Sequence, residues 1–163
     1  MLSILVLPLL STIITGFFGR YLGSNKIYQL STITLFNSWV LTTWCITKII
    51  FKGQTFTINL IQWLDTSIMN LHFTFTFDLV SCLMLWLITF ISGLVHYYTI
   101  EYTYEDPFVI RFYLWLQAFT CSMLWLVTSN NLITLFICWE LIELFSFSLI
   151  SFWFTIFSYI FYY

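Results

Sequence analysis

Two glutamates, Glu140 and Glu143, lie in a stretch that is otherwise almost entirely apolar, CWELIELFSFSL at positions 138–149. Counted from Leu132, where the apolar run begins, Glu140 lies about 12 Å along a helix and Glu143 a further ~4–5 Å. An ionised side chain at the centre of a membrane helix costs at least about 2.5 kcal/mol on insertion scales. Each carboxyl group therefore needs either a bound proton or a cationic partner.

These requirements make Glu140 a candidate proton-transfer group and Glu143 a candidate neighbour that tunes it. Desolvation and a like charge one turn away favour the neutral acid, whereas an approaching cation favours the carboxylate. The alternative is a protonated pair that only packs and hydrogen-bonds. Lys48 is the only candidate base within a predicted helix, and it lies near the helix end and not at mid-membrane, so we expect the cation to come from another chain.

Further polar residues follow the glutamates at helical spacing. At 100° per residue they fall within one arc of roughly 140°, and the rest of the helix is apolar. This spacing predicts a polar stripe made of Glu140, Glu143, Ser148, Ser151, Thr155 and Ser158.

The composition indicates that the membrane surrounds the chain. Of its 163 residues, 61% are hydrophobic and only 7% are charged, with a mean hydropathy of +0.95. A soluble domain has roughly a quarter of its residues charged, so this class is excluded. The net charge is −2 and no basic tract is present, which argues against a nucleic-acid partner and leaves membrane lipids as the surroundings.

Five apolar runs are long enough to cross about 30 Å of hydrocarbon as helices. We therefore predict an all-α membrane protein with a single transmembrane domain over residues 1–163. The link between the second and third runs alternates polar and apolar residues, which predicts a short extramembrane β-hairpin. TSNN joins the last two runs and makes them antiparallel neighbours. The predicted helices cover approximately 2–18, 27–50, 77–96, 112–127 and 132–158.

The remaining reactive side chains do not form a recognisable site. The four cysteines are scattered and are expected to be small buried hydrophobic residues. Of the two histidines, we expect one, His72 or His96, to lie at the membrane interface and the other to cap a helix end. No metal site is predicted. Without a glycine-rich nucleotide loop or a cysteine cluster, no redox site or cofactor is expected in this chain.

Several short patterns resemble, in chain order, the fifth membrane subunit of respiratory complex I, NADH:quinone oxidoreductase. An F-D pair precedes the third helix, L-V-H-x-Y lies at its predicted end, and D-P and R-F precede the fourth. L-V-T-x-x-N then precedes the fifth helix, and F-x-x-W-E lies within it. The residues are Phe77-Asp78, Leu94-Val95-His96-Tyr97-Tyr98, Asp106-Pro107, Arg111-Phe112, Leu126 to Asn131, and Phe136-Ile137-Cys138-Trp139-Glu140.

The resemblance implies an antiporter-like subunit that contributes to proton translocation coupled to NADH:ubiquinone electron transfer. It places a multi-pass chain in the inner mitochondrial membrane, among other membrane-arm subunits. NAD, FMN, the iron–sulfur clusters and ubiquinone are expected elsewhere in the complex. In the family, the glutamate matched by Glu140 pairs with a lysine of helix seven. The chain contains one alanine and nineteen phenylalanines. This bias in composition suggests an AT-rich genome, which is consistent with an organelle.

The chain departs from the family pattern in two respects. Leu141, Ile142 and Glu143 stand where the family usually has small glycines, so the second acid is not a family feature. The family also has well over a dozen helices, which leads us to expect the N-terminal part of a split subunit, completed by a separate chain. Two alternatives remain: a fragment of a multisubunit cation/proton antiporter subunit, and a structural membrane scaffold that does not transport.

Overall fold

The structure of the protein, a computed structural model, describes residues 1–53, 55–65, 70–104 and 106–152. It contains five helices that are each long and apolar enough to cross a membrane, in agreement with the predicted number. They are α1 Leu2–Leu22, α2 Ser24–Lys52, α3 Leu79–Tyr102, α4 Val109–Thr128 and α5 Leu132–Ile150.

The helix ends differ from the predicted ones, most of all in α3. This helix begins two residues later than predicted because Asp78 caps it, and it continues six residues beyond the predicted end at His96. In α5 the described helix ends at Ile150, and residues 153–158 of the predicted run lie outside the described residues. A single residue, Gly23, links the end of α1 to the start of α2. Its φ of 76° is positive, a backbone conformation that glycine adopts readily.

The predicted hairpin is present between α2 and α3. Its strands, β1 Phe56–Asp65 and β2 Asn70–Phe77, pair antiparallel with Phe56 opposite Phe77. The hairpin lies against the turn between α4 and α5, where the backbone N–H of Asn130 donates to the Thr74 carbonyl at 3.3 Å. The side chain of Asn131 also donates to the His72 carbonyl. The hairpin and this turn therefore lie at one membrane face.

The helices pack side by side, with α4 contacting α1, α3 and α5. One apolar cluster lies near the hairpin, and a smaller one lies at the opposite face, where α1 and α3 end and α2 and α4 begin. The first contains Ile4, Leu5, Cys45, Ile49, Phe75, Phe77, Cys82, Leu85 and Leu124, and the second contains Ile27, Tyr28, Val109 and Tyr113.

Polar side chains are buried between these two clusters. Most are serine or threonine hydroxyls that donate to a carbonyl three or four residues earlier on their own helix, as Ser31 does to Tyr28 at 2.9 Å. Besides the contact between the Cys45 and Cys82 thiols, two hydrogen bonds of the described side chains join different helices instead. Thr15 of α1 donates to Gln117 of α4 at 2.8 Å, and the Tyr113 hydroxyl donates to the His96 carbonyl of α3 at 2.9 Å.

The expectation for the histidines is half right. His72 is exposed on β2, at the face where the hairpin lies. His96 does not cap a helix end: it lies within α3, with none of its surface exposed, and packs edge-on against Tyr113 with the ring centroids 5.9 Å apart. The helix continues past His96 because Tyr97 to Tyr102 extend the apolar run. The four cysteines are all buried and free of disulfide bonds, and the sulfur atoms of Cys45 and Cys82 lie 3.3 Å apart.

Asp78 and Ser81 fix the point at which α3 leaves the hairpin. The Ser81 backbone N–H donates to Asp78 Oδ1 at 2.8 Å, and the Asp78 backbone N–H donates to Ser81 Oγ at 2.9 Å, forming a capping box. Hydrogen bonding holds the pKa of Asp78 below its usual value. The Ser81 hydroxyl has the larger effect and the Ser81 backbone N–H the next largest. The cap is therefore fully stabilising above the unfolded-state pKa and is lost as pH falls through the lower folded-state pKa.

We predict that Asp78→Ala weakens the first turn of α3 by about 1 kcal/mol, which makes amide hydrogen exchange at Ser81 about fivefold faster at neutral pH. The difference between variant and parent should shrink in acid, once the parent carboxylate is protonated. Asp106→Ala is the matched control, because Asp106 caps none of the described helices and its Oδ2 has no hydrogen-bond partner in the described part of the chain. Equal exchange rates at neutral pH for Asp78→Ala and its parent would contradict the assignment.

Candidate functional site

The two glutamates of α5 point away from the rest of the described chain. Both side chains are exposed, at the centre of a face that also carries Phe136 and Phe147, which are 62% and 71% exposed. We call this surface, formed by Phe136, Glu140, Glu143, Leu144 and Phe147, the open face of α5. Only 11% of the residues in the most apolar 18-residue window of α5 are buried. The helix α5 therefore presents most of its circumference to its surroundings.

The opposite side of α5 packs mainly against α4. Thr134 and Cys138 are its buried residues, and Phe145 contacts Trp115 of α4 with the ring centroids 5.9 Å apart. The carboxyl groups are therefore held on the outer side of a helix whose inner side is anchored. Their positions depend on α4, the turn at 129–131 and the hairpin against that turn.

The predicted polar stripe is divided in the structure. Ser148 and Ser151 are half-buried and line a small cavity of about 50 Å³ with Arg111 and Trp115 of α4, so they face inward while the glutamates face outward. The hydroxyls of both serines donate to carbonyls of α5 itself. Thr155 and Ser158 lie outside the described residues. The division arises because the arc is wide enough to extend from the open face to the edge that contacts α4.

The two carboxyl groups differ in what they contact. Glu143 Oε1 accepts a hydrogen bond from Trp139 Nε1 at 2.6 Å, one turn earlier on α5. Glu140 has no hydrogen-bond or ion-pair partner among the described residues. Glu143 is therefore partly satisfied within the helix, and Glu140 is available to a partner from outside.

No cation of the described side chains reaches Glu140. Lys48 Nζ lies 5.2 Å from the ring centroid of Trp44, on its own helix α2. Arg111 is exposed in the first turn of α4, far along the bundle from Glu140 near the middle of α5. Because an unpaired carboxylate facing hydrocarbon is costly, Glu140 must be protonated or matched by a group that covers the open face.

Sequence reasoning missed two features of the interior. It did not identify Gln117 as a buried polar side chain, and it did not place His96 inside the bundle. Gln117 is 2% exposed and bonds to Thr15, which is 102 positions away in the sequence. A single glutamine within an apolar run was the available signal for this contact. His96 was placed at a helix end because its run was terminated too early.

Comparison with known proteins gives a consistent family. Residues 63–113 match the family model described as NADH-Ubiquinone oxidoreductase (complex I), chain 5 N-terminus. The chain is 39% identical over 154 residues to NADH-ubiquinone oxidoreductase chain 5 of Hypocrea jecorina, covering 94% of this chain but 22% of that relative. The predicted resemblance is therefore confirmed along nearly the whole chain, which spans less than a quarter of that relative's length.

A differently named protein shares the same stretch. A probable intron-encoded endonuclease 4 of Neurospora crassa is 38% identical over 154 residues, covering 94% of this chain and 28% of that protein. Among solved structures, that of an archaeal respiratory membrane complex, the membrane-bound sulfane sulfur reductase, superposes with a TM-score of 0.76 at 13% identity. It covers 89% of this chain and 28% of the other, and it supports the fold alone.

We predict that Glu143 and Trp139 act as a pair. Glu143→Leu and Trp139→Phe each remove the same hydrogen bond, so in a double-mutant cycle their costs to thermal stability should be non-additive by about 0.6 kcal/mol, the average for hydrogen bonds between membrane helix side chains. Glu143→Gln keeps an oxygen acceptor and should retain most of the coupling. Glu140→Leu with Trp139→Phe is the matched control and should be additive. Additive costs for the Glu143 pair would show that the bond does not form in the membrane.

Proposed function

We propose that this chain is a membrane-arm subunit of NADH:ubiquinone oxidoreductase that contributes to proton translocation coupled to electron transfer from NADH to ubiquinone. The observation that carries the proposal is Glu140, a carboxyl group near the middle of a membrane helix with no partner among the described residues, in a chain 39% identical to chain 5 of such an enzyme. An ionisable group at this depth is a functional site by default, since hydrocarbon selects against it otherwise.

The proposed role of Glu140 is reversible proton binding controlled by a nearby cation. When a lysine or protonated histidine approaches the open face, the carboxylate is stabilised and its proton is released. When the cation withdraws, desolvation favours the protonated acid. Glu143 lies one turn away and bonds to Trp139, so its proposed role is limited to tuning the charge that Glu140 experiences.

The open face of α5 requires a cover, and the proposed cover is a set of further helices of the same subunit carried by a separate chain. The geometry of α5 and the length of the relatives, of which this chain spans 22% in the first case, support further helices over this face and do not bear on which chain carries them. Those helices would supply the cation for Glu140. Lipid and other membrane-arm subunits would contact the remaining exposed apolar surface.

The proposed location is the inner mitochondrial membrane, with several passes through it. Five helices capable of spanning a membrane support the multi-pass arrangement, and the fungal chain 5 relative supports a mitochondrial complex. The electron carriers, namely NAD, FMN, iron–sulfur clusters and ubiquinone, are proposed to lie in other subunits. In the part of the chain that the structure describes, no three histidine, cysteine or acidic side chains converge on a possible metal site.

The first test concerns assembly. Because the open face exposes two carboxyl groups and several aromatic rings, we expect this chain to be degraded or to aggregate when it is produced alone. In mitochondrial membranes it should comigrate with NADH dehydrogenase activity in native gels, and mass spectrometry should find the remaining helices of the subunit as a separate polypeptide. A stable, monodisperse 19.5 kDa monomer in mild detergent would contradict the proposal. Helices continuous with this chain would refute only the split arrangement.

The second test removes the titratable group. Glu140→Gln keeps shape and hydrogen bonding but cannot ionise, so the complex should assemble while NADH-driven proton uptake into vesicles and the coupled quinone reduction fall. Glu140→Asp should be intermediate, because its side chain is one methylene shorter and the ion pair becomes longer. Glu143→Gln should have a smaller effect than Glu140→Gln.

Arg111→Lys is the matched control, since it keeps a cation at an exposed position in the first turn of α4. It should leave turnover and pumping nearly intact. Wild-type pumping by Glu140→Gln in an assembled complex would instead favour the structural scaffold, and loss confined to Glu143→Gln would reassign the role to the second glutamate.

A further inference from the structure

His96 lies in the interior with one ring nitrogen unused. Its Nδ1 is 2.8 Å from the Ser92 carbonyl oxygen, which can only accept, so Nδ1 carries a proton and donates. In the neutral ring Nε2 is then a bare acceptor. This atom is buried and has no hydrogen-bond partner in the described part of the chain. His96 therefore has a vacant proton-binding position in a region without bulk water.

Gln117 presents a complementary unpaired group. Its Oε1 accepts a hydrogen bond from the Thr15 hydroxyl at 2.8 Å, and its Nε2, a donor, is buried without a partner among the residues described. A buried donor and a buried acceptor that are both unsatisfied cost free energy unless they meet directly or through water. His96 Nε2 and Gln117 Nε2 therefore need either each other or a bridging water molecule as a hydrogen-bond partner.

Depth in the membrane places these residues in one layer. The helices α1 and α3 end at the same face at which α4 begins. Measured from those ends at about 1.5 Å per residue, His96 lies ~9 Å deep, Thr15 ~10 Å and Gln117 ~12 Å. Tyr113, one turn before Gln117 on α4, contacts the His96 ring. Gln117 therefore lies on the side of α4 from which Tyr113 reaches α3.

Thr15 and Gln117 can reverse the polarity of the hydrogen bond between them. Thr15 Oγ1 also lies 2.9 Å from the Ser11 carbonyl oxygen and 2.9 Å from the Thr12 carbonyl oxygen, so its proton can be given to the backbone instead of to Gln117. The hydroxyl then accepts from the Gln117 amino group, and the amide oxygen becomes free to accept elsewhere. Gln117 can thus offer a donor to neutral His96 and an acceptor to the imidazolium.

We propose that this layer is a second protonation site of the chain, in which His96 binds and releases a proton at Nε2 and Gln117, supported by Thr15, adapts to both states through a bridging water. The titratable groups around it are Tyr113 from α4 and Tyr28 from α2, whose ring lies 4.9 Å from that of Tyr113. No charged side chain of the described residues bonds to these groups. Proton uptake therefore adds a net charge to the interior of the bundle.

The proposed protonation site at His96 rests on the function proposed above, because it is a step in proton movement. The experiment distinguishes a failure of the His96 site from a failure of the proposed function. NADH-driven proton uptake is measured across a pH series in vesicles containing the assembled complex. His96→Gln places a polar group near Nε2 that cannot titrate, and His96→Asn keeps a donor for the Ser92 carbonyl. We expect both to slow proton uptake and to remove a step from the pH profile of the uptake that remains. Gln117→Met should shift that step, because His96 then lacks a partner that can reverse polarity.

His72→Gln is the matched control, since it changes the other histidine of the chain, which is exposed on the hairpin. It should pump as the parent does. A wild-type rate and pH profile in whichever His96 variant assembles would overturn the proposal, while a loss in Glu140→Gln measured in parallel would leave the proposed function standing. If neither His96 variant assembles, an unchanged pH profile in Gln117→Met overturns it.

Discussion

The cost of placing charge and unpaired polar groups in hydrocarbon is the constraint on which the rest of this structure depends. Nearly every polar group of the helices meets it locally: hydroxyls of serine and threonine donate to carbonyls of their own helix, so they add no unpaired group to the apolar surroundings. The strands of the hairpin pair with each other and lie against the turn between α4 and α5. Glu140 is an exception at the outside of the bundle, because no described side chain satisfies it, and His96 Nε2 and Gln117 Nε2 are exceptions inside it. An unsatisfied acid at this depth makes the isolated bundle incomplete.

The architecture holds that exception in a defined place. The hairpin lies against the turn between α4 and α5 through Asn130 and Asn131, and α5 lies on α4 through Thr134, Cys138 and the ring of Phe145. Each of these contacts is on the inner side of α5. The outer side is consequently presented at a fixed orientation, with Glu143 already engaged by Trp139 and Glu140 still available. The structure thus places Glu140 on the outer side of a helix whose inner side is packed against α4.

Much of the fold could be predicted from the sequence, and the reasons are local. Five runs of about 20 apolar residues specify five helices, and the alternation between Phe56 and Phe77 specifies the strands. The short TSNN link specifies that α4 and α5 are neighbours. The interior polar contacts could not be predicted in this way, because Thr15 and Gln117 meet only after α1 has packed on α4. The division of the polar stripe had the same cause, since an angular arc does not reveal which edge a neighbouring helix covers.

The helix α4 separates two polar regions that meet the constraint in different ways. On one side, His96, Gln117 and Thr15 are enclosed by helices of this chain, about 9–12 Å from the face where α3 ends. On the other side, Glu140 lies about 12 Å from the opposite face and is open to the outside of the bundle. In our proposals the hydrogen bonds of the enclosed region reverse within the chain. The role proposed for Glu140 depends instead on a cation from elsewhere. If both carry protons, α5 is the point at which the proton chemistry of this chain depends on its neighbours.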